Sequence, residues 1–198
     1  DGHSYSRGIS VGFDDLDQFV HLIPCEKVTE YRTCYTCTPS GLTHKDLTSM
    51  DLLRNKHIPD VYLTASVKDR QALLQGLLDS DGSVAGTGIE FYTSRKELLE
   101  GFLLLARGLG YKCRTRTKEA KLNGESYGDT YTVWFLPHGD RELFRYERKK
   151  SKVVVCDTFR ATRKTIREIR QVESVPSKCI QVESEDSLYL CGEHFTVT

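Results

Sequence analysis

The sequence has no long hydrophobic run and no net charge. In its 198 residues no stretch of about 18 consecutive apolar residues occurs, so no membrane-spanning helix is predicted. A basic segment followed by an apolar one is also missing at the start of the chain, so a secretion signal is not predicted. We therefore expect a soluble cytoplasmic protein with one sizeable core or two smaller ones.

The seven cysteines do not form a regular pattern. An odd number of cysteines at irregular spacing is typical of free thiols in a reducing compartment rather than of a disulfide framework. Cys34 and Cys37 have the spacing of half a zinc site, which is the alternative interpretation of that pair. No second pair follows, and a strand would direct the two side chains to opposite faces.

The zero net charge hides an uneven distribution. Residues 95–121 carry eight Lys or Arg against three Asp or Glu, and residues 141–170 carry eleven against four. Residues 171–198 carry five acidic residues and one lysine. A chain divided in this way presents a basic surface to phosphate groups while its total charge stays neutral.

Residues 67–81 have the hydrophobic spacing of a helix. Ala72, Leu73, Gly76 and Leu77 recur at helical intervals and form one face. A glycine costs a helix about 1 kcal/mol relative to alanine, so we expect another backbone to pack closely against Gly76. The rest of the chain is expected to be organised around this helix.

At the end of that helix, residues 74–82 read Leu-Gln-Gly-Leu-Leu-Asp-Ser-Asp-Gly. This segment resembles the signature of the LAGLIDADG homing endonucleases. Upstream, residues 56–59 (Lys-His-Ile-Pro) are similar to the Lys-x-Ile-Pro block of the intein-borne members of that family. Downstream, residues 91–94 (Phe-Tyr-Thr-Ser) are similar to the strand that follows the signature. The chain therefore resembles part of an intein that carries a LAGLIDADG endonuclease domain.

The resemblance implies an α+β fold in which two pseudo-twofold αββαββα repeats form antiparallel, saddle-shaped sheets. The residues themselves support a duplication. A strand pattern at 4–13 and a helix pattern at 14–23 recur at 83–93 and 95–109, roughly eighty residues later. Two copies of one unit are therefore expected.

We expect the endonuclease domain to occupy residues 1–152, with a truncated first half at 1–55 and the second half at 56–152. A C-terminal β segment of a Hint (intein splicing) domain is expected at 153–198. If the resemblance holds, the first signature helix ends at the start of this chain, and its body is missing. The basic stretch at 141–170 is predicted to be largely helical.

The resemblance also implies a metal site. In the family, two signature helices pack side by side, and the last aspartate of each lies at the base of their interface. By this resemblance those residues are Asp1 and Asp81. Two facing carboxylates repel each other unless a cation lies between them, and oxygen ligands favour Mg²⁺, with Mn²⁺ as an alternative. The implied reaction is metal-dependent hydrolysis of DNA phosphodiester bonds.

Two further residues near the signature have expected roles. Lys56 is similar to a family lysine that lies beside one metal site and stabilises the transition-state charge, and an ordinary surface lysine is the alternative. Asp79 lies about 200° around the helix from Asp81, so the two carboxylates cannot enter one site. We therefore expect Asp79 to act in capping or to contact solvent.

Basic and neutral residues alternate along 111–118. A basic face on a twisted antiparallel ribbon suits the DNA major groove, where arginine pairs with guanine and lysine meets phosphate. A solvated sheet face is the alternative. For Lys149, Lys150 and Lys152 an active-site lysine is a further alternative. The predicted DNA-binding residues are Lys112, Arg114, Arg116, Lys118, Arg7, Arg32, Lys149 and Lys150.

The end of the chain resembles the C-terminal splicing blocks of inteins. Short β-like runs occur at 178–184 and 188–192. Cys179 stands where one intein subclass carries its branch-forming nucleophile, together with a threonine at the position of Thr198, and both are expected to be catalytic. A buried core cysteine is the alternative for Cys179. The family's final His-Asn pair does not follow Thr198 in this sequence.

The resulting hypothesis is an intein fragment. It would be a Mg²⁺-dependent, site-specific double-strand DNA endonuclease for intein homing, coupled to autocatalytic protein splicing in the intact parent. The alternative is a catalytically inactive DNA- or RNA-binding module, similar to maturases or regulators. The expected partners are a double-stranded DNA target, the N-terminal half of the intein and the flanking host segments (exteins). No membrane contact is expected, and the chain is expected to be a monomer.

Overall fold

The structure is a computed structural model, and it describes residues 5–122, 125–156, 165–192 and 196–197. Within these residues every paired strand is antiparallel, and helices alternate with strands along the chain. No described helix is both long and apolar enough to cross a membrane.

The first half of the chain is built on a three-stranded antiparallel sheet. Its strands have the order β1-β3-β2. Val11, Phe19 and Cys37 form most of its small core. Its elements in chain order are β1 (Ile9–Val11), a 3-10 turn (Phe13–Asp15), α1 (Leu16–Leu22), β2 (Cys25–Glu30), β3 (Tyr35–Pro39) and α2 (His44–Ser49).

The second half repeats this arrangement with longer elements. Its sheet has the order β4-β5-β7-β6, in which β5-β7-β6 corresponds to β1-β3-β2 of the first half. This shared strand order confirms the predicted duplication. The elements are α3 (Asp60–Leu63), α4 (Val67–Asp81), β4 (Gly82–Ala85), β5 (Gly88–Thr93), α5 (Lys96–Gly108), β6 (Arg114–Leu122), β7 (Glu125–Phe135) and α6 (Glu147–Lys150).

The signature helix α4 has the bounds that the sequence predicts. The side chain of Ser66 accepts a hydrogen bond from the backbone N–H of Asp69 at 3.2 Å and so caps its first turn. Leu74 and Leu78 are fully buried on its core side. Gly76 is exposed, and a Cβ there would meet nothing within 4 Å. The expected close backbone contact at Gly76 is therefore wrong for the described residues, although Leu73 and Leu77 of the same predicted face pack against their core.

Helices α4 and α5 pack on one face of the β4–β7 sheet. The ring of Phe91 on β5 stacks on that of Phe102 on α5, with a centroid distance of 4.0 Å. A Cβ on Gly101 would lie 3.1 Å from the Cβ of Ile58, so this glycine lets the segment before α3 approach α5 closely. Each large apolar side chain buried here contributes about 2 kcal/mol to the stability of this core.

Residues 142–150, which we call the strap, join the two cores. Phe144 is buried in the core of the second half and Tyr146 in the core of the first half. The side-chain amide of Gln18 on α1 donates to the backbone carbonyl of Arg145 at 2.6 Å. Because the strap contributes side chains to both cores, the two halves share one continuous packing arrangement.

The structure corrects two predictions about the second half. Residues 83–93 form the hairpin β4–β5 rather than one strand, because Gly86 turns the chain with a φ of 61°. The predicted helix over 141–170 is wrong for its described residues, in which only Glu147–Lys150 is α-helical. The strap is instead irregular before α6, with bends at Arg145 and Tyr146.

The C-terminal segment differs from the predicted small all-β element. Leu190–Cys191 forms the two-residue strand β8, which pairs with β9 at Thr196–Val197. The run predicted at 178–184 contains no strand, and residues 165–192 are almost entirely exposed. Within the described residues nothing packs over this segment, so its apolar side chains have no core to stabilise a strand.

Candidate functional site

The C-terminal end of α4 carries the first candidate residue. Asp81 is the last residue of α4 and is partly exposed, and its carboxylate accepts a hydrogen bond from the hydroxyl of Ser80 at 3.3 Å. Gly82 follows at once and begins β4, and a Cβ there would lie only 2.6 Å from the carbonyl oxygen of Leu78. The glycine therefore permits the sharp turn that places Asp81 beside the edge strand of the sheet.

Lys149 of α6 closes the same helix end. Its Nζ donates to the carbonyl oxygens of Leu78 at 3.0 Å, Asp79 at 2.6 Å and Gly82 at 2.7 Å. The Leu78 carbonyl also accepts the backbone N–H of Gly82, and a cation at a helix C-terminus interacts favourably with the helix dipole. Burial lowers the pKa of this ammonium group. The three acceptors are internal, so the DNA contact expected for Lys149 stays a prediction.

Asp79 is structural, but its carboxylate binds the backbone of the strap rather than having the predicted capping or solvent contact. Its carboxylate accepts the backbone N–H of Arg145 at 3.1 Å and that of Tyr146 at 3.3 Å. Burial raises the pKa of this carboxyl group, and the two backbone hydrogen bonds together with nearby Lys149 oppose the shift. Asp79 thereby anchors the strap to α4, while Asp81 is left to the other side of the helix.

The structure describes two of the other four residues that were predicted to be catalytic. Lys56 is partly buried in the segment before α3 and has an interaction partner, and its role beside a metal ion stays a prediction. Asp1 and Thr198 lie outside the described residues. Cys179 is exposed, so the alternative of a buried core cysteine is wrong. Its role as a nucleophile stays a prediction.

No ready-made metal cluster exists within the described ranges. They contain no group of three or more His, Cys, Asp or Glu side chains that could hold an ion. In the pair proposed as half of a zinc site, Cys37 is buried and Cys34 is partly exposed. Burial raises the pKa of the Cys37 thiol to about 11, which disfavours the thiolate that zinc requires.

One face of the β4–β7 sheet carries three of the eight predicted DNA-binding residues. Arg114, Arg116 and Lys118 on β6 pair with Trp134, Thr132 and Thr130 on β7, and directly paired residues of an antiparallel sheet share a face. Glu90 and Tyr92 on β5 pair with Trp134 and Thr132 and complete this face. The three basic side chains are exposed. We call this surface, formed by Glu90, Tyr92, Arg114, Arg116, Lys118, Thr130, Thr132 and Trp134, the basic face.

A groove crosses the basic face at Trp134. It has a volume of about 380 Å³ and is bordered by Glu90, Arg114 and Arg116. The guanidinium carbon of Arg114 lies 5.6 Å from the centroid of the Trp134 ring, a cation–π distance. A Cβ on Gly88 would lie 2.2 Å from the indole nitrogen, so only glycine leaves room for this ring. Arg114 is thus oriented by an aromatic ring that is itself fixed by packing.

The other basic residues predicted for DNA binding lie away from the basic face or at its margin. Lys112 is exposed before β6 and has an interaction partner, and Arg32 is exposed in the β2–β3 turn. Arg7 forms an ion pair with Glu26 at 2.7 Å. Lys150 forms an ion pair with Glu142 at 2.7 Å. A phosphate contact by any of these residues stays a prediction.

Sequence reasoning missed two features of this region. Glu90 and Tyr92 join the basic face because they alternate with buried Ile89 and Phe91, a period-two signal that was present in the sequence. The use of Lys149 to close α4 depends on the path of the strap, and no local pattern encodes that path. The candidate site therefore combines one acidic helix end with one basic sheet face.

This combination matches a known family. The model of the LAGLIDADG-like domain family matches residues 69–153, which run from α4 to the residues just after α6. The chain therefore contains a LAGLIDADG-like domain at these residues, as the sequence indicated. It is 35% identical over 162 residues to the replicative DNA helicase DnaB of Mycobacterium intracellulare. That alignment covers 80% of this chain, which spans only 28% of the length of the relative.

Solved structures of the homing endonuclease I-DmoI are similar to parts of this chain. One, of mesophilic variants of I-DmoI, has 15% identity and a TM-score of 0.44 and covers 73% of this chain and 70% of its own. Another, of I-DmoI in complex with DNA and Ca, has 13% identity and a TM-score of 0.42 and covers 65% of this chain and 66% of its own.

Proposed function

We propose that this chain is the endonuclease-bearing part of an intein and that it binds and cuts double-stranded DNA. The observation that carries the proposal is the junction of α4 and β4. There, within a LAGLIDADG-like domain, Asp81 ends the signature helix immediately before a strand of the sheet that carries the basic face. A carboxylate that can hold a metal ion is thus built into the same unit as a surface that attracts phosphate.

The basic face would bind the DNA. Its exposed arginines and lysine offer charge-assisted hydrogen bonds to phosphate oxygens and forked donors to guanine edges. A two-stranded antiparallel ribbon such as β6–β7 has the dimensions to enter the major groove. The electrostatic part of this binding does not depend on sequence and weakens with added salt.

Asp81 would hold a divalent metal ion with a second carboxylate, which the family resemblance assigns to Asp1. Hard carboxylate oxygens fit Mg²⁺ and also Mn²⁺. When bound, such an ion activates water and stabilises the charge that develops on the phosphate. Lys149 keeps the last turn of α4 closed and so fixes the backbone that bears Asp81. We propose Lys56 as a cation near this centre.

A cleavage assay with paired variants tests this proposal. The chain, preceded by the signature helix that the family resemblance implies, is incubated with supercoiled DNA carrying an uninterrupted helicase gene. We expect Mg²⁺-dependent cutting that Asp81→Asn abolishes while DNA binding is retained. Asp69→Asn at the exposed start of α4 is the matched control and should leave cutting intact. DNA binding that never leads to cutting, with any divalent ion, would contradict the nuclease and favour a binding module.

The similarity to a replicative helicase favours the intein context. We propose that residues 153–198 belong to the splicing element, that Cys179 and Thr198 take part in splicing, and that the exteins are segments of a helicase precursor. In this proposal the chain acts as an intracellular monomer. The match spans most of this chain but only a small part of the relative.

Splicing is tested by supplying the N-terminal half of the intein and placing reporter domains at both ends. Joined reporters are expected, and Cys179→Ala should prevent joining. Cys191→Ala is the matched control, since Cys191 is also exposed and lies in the same segment. If both variants splice equally well, Cys179 is not the nucleophile.

A further inference from the structure

Glu90 is the one acidic residue among the paired positions on the basic face at residues 82–93, 114–118 and 130–135. It lies opposite Trp134 on β7, which in turn lies opposite Arg114 on β6. The three side chains border the same groove. A carboxylate in this position weakens the attraction of the surface for phosphate, so it calls for a specific explanation.

The structure gives Glu90 a fixed orientation without neutralising it. Its carboxylate accepts a hydrogen bond from the hydroxyl of Tyr92, two residues along the same strand. This hydrogen bond raises the pKa of the Tyr92 hydroxyl, so the tyrosine remains a donor at neutral pH. Within the described residues Glu90 forms no ion pair, although Arg114 and Arg116 border the same groove. One carboxylate oxygen therefore stays available to a ligand.

We propose that Glu90 is a specificity-determining residue that accepts a hydrogen bond from the N4 amino group of a cytosine in the major groove. This inference rests on the proposed function, because it requires DNA to lie on the basic face. Among groove-facing groups, only the exocyclic amines of cytosine and adenine donate to an acceptor in the major groove. A carboxylate has no donor at neutral pH, so it selects between bases instead of adding general affinity.

Cytosine suits this carboxylate better than adenine. Beside its N6 amino group adenine presents the N7 acceptor, which repels a second carboxylate oxygen. Beside its N4 amino group cytosine presents only a carbon–hydrogen edge. The Arg114 guanidinium, held over Trp134, is a forked donor on the same groove and suits a guanine neighbouring that cytosine. At adjacent base pairs, Glu90 would then require a hydrogen-bond donor and Arg114 would require hydrogen-bond acceptors.

Selection of bound sequences from a randomised duplex pool tests this inference, with sequencing of the DNA that the chain retains. With the wild-type chain we expect one position with a strong cytosine preference. Glu90→Gln should reduce that preference by about tenfold, because an amide offers a donor as well as an acceptor. Glu90→Asp keeps the charge but withdraws the carboxylate by one methylene, and it should lose the preference as well. Glu100→Gln on α5 is the control with the same change of charge.

The Glu90→Asp variant separates reading of a base from simple repulsion. If Glu90 only repels phosphate, Glu90→Gln strengthens binding to all sequences alike and Glu90→Asp changes nothing, which would overturn the inference. A chain that retains no DNA from the pool would instead overturn the proposed function. Circular dichroism of each variant shows that it is folded before its preference is measured.

Discussion

The guanidinium of Arg148 forms two hydrogen bonds with the carboxylate of Asp15, Nε to Oδ1 at 2.5 Å and Nη2 to Oδ2 at 2.6 Å. Arg148 belongs to α6 at the end of the second half, and Asp15 directly precedes α1 in the first half. Asp15 is 7% exposed, so its carboxylate has little contact with water and is paired with this arginine instead. The ion pair also raises the pKa of the arginine. Beside Tyr146, it forms the polar part of the contact between the halves.

Replacing Asp15 by Asn should lower the free energy of unfolding by about 1 kcal/mol, because two charge-assisted hydrogen bonds are weakened while the half-exposed Arg148 stays hydrated. Chemical denaturation measures this change. Glu142→Gln is the control, since it removes the exposed ion pair with Lys150 and should have a much smaller effect. Equal losses in the two variants would mean that burial of Asp15 adds nothing.

Asp79 should make stability depend on pH with a definite sign. The pKa of its carboxyl group is higher in the folded chain than in the unfolded chain. At a pH between these two pKa values, the folded state therefore binds more protons than the unfolded state. Its contribution to stability therefore falls as pH rises through that window. The melting temperature of the wild-type chain minus that of Asp79→Asn, measured at several pH values, should be larger near pH 4 than near pH 7. A difference that grows with pH would show that the backbone hydrogen bonds outweigh burial.

Replacing Gly88 and Gly76 by alanine should have opposite effects on stability. Gly88→Ala drives a methyl group into the Trp134 indole and should cost about 2 kcal/mol, with loss of the ordered Arg114 contact. Gly76→Ala meets open space and should stabilise α4 by up to about 1 kcal/mol in this chain. Thermal unfolding, followed by tryptophan fluorescence, distinguishes them because Trp134 is the only tryptophan. A similar loss of stability in both variants would contradict the tight packing of Gly88 against Trp134 and the open space at Gly76.

Arg116→Ala should weaken DNA binding to all sequences to a similar extent. If Arg116 contacts one phosphate, the slope of log K against log salt should become shallower by about 0.9. Fluorescence anisotropy at several salt concentrations measures that slope. Lys96→Ala on α5 removes a charge of the same sign from a helix on the opposite side of the sheet. An identical change of slope in both variants would mean that the basic face is not the contact surface.

Much of this arrangement was predictable because its signals are local. The bounds of α4 follow from the apolar spacing and the Ser66 cap, and the basic alternation on β6 is visible in the sequence. The roles of Asp79 and Asp81 could be separated by helical geometry alone. These features depend on residues within a few positions of each other.

The strap could not be predicted in the same way. Its basic residues suggested a long helix, whereas Phe144 and Tyr146 are buried in cores that lie far apart in the sequence. In the sequence Lys149 resembles a solvated lysine, and only the fold shows that its ammonium group binds the carbonyl of Leu78 at the end of α4. Contacts over seventy or more residues, such as Gln71 to Glu142, leave no local pattern. Tertiary packing overrides local tendency at these positions.

The crossing of the strap limits how related proteins could exchange parts. A hybrid that takes its second half from another protein would also import a foreign tyrosine and arginine into the first-half core, where Tyr146 and Arg148 now fit Phe19 and Asp15. A functional hybrid would therefore have to inherit the strap from the donor of the first half. Such a hybrid needs two junctions, one before α4 and one between β7 and Glu142, because the strap follows the second half in the sequence but packs into the first.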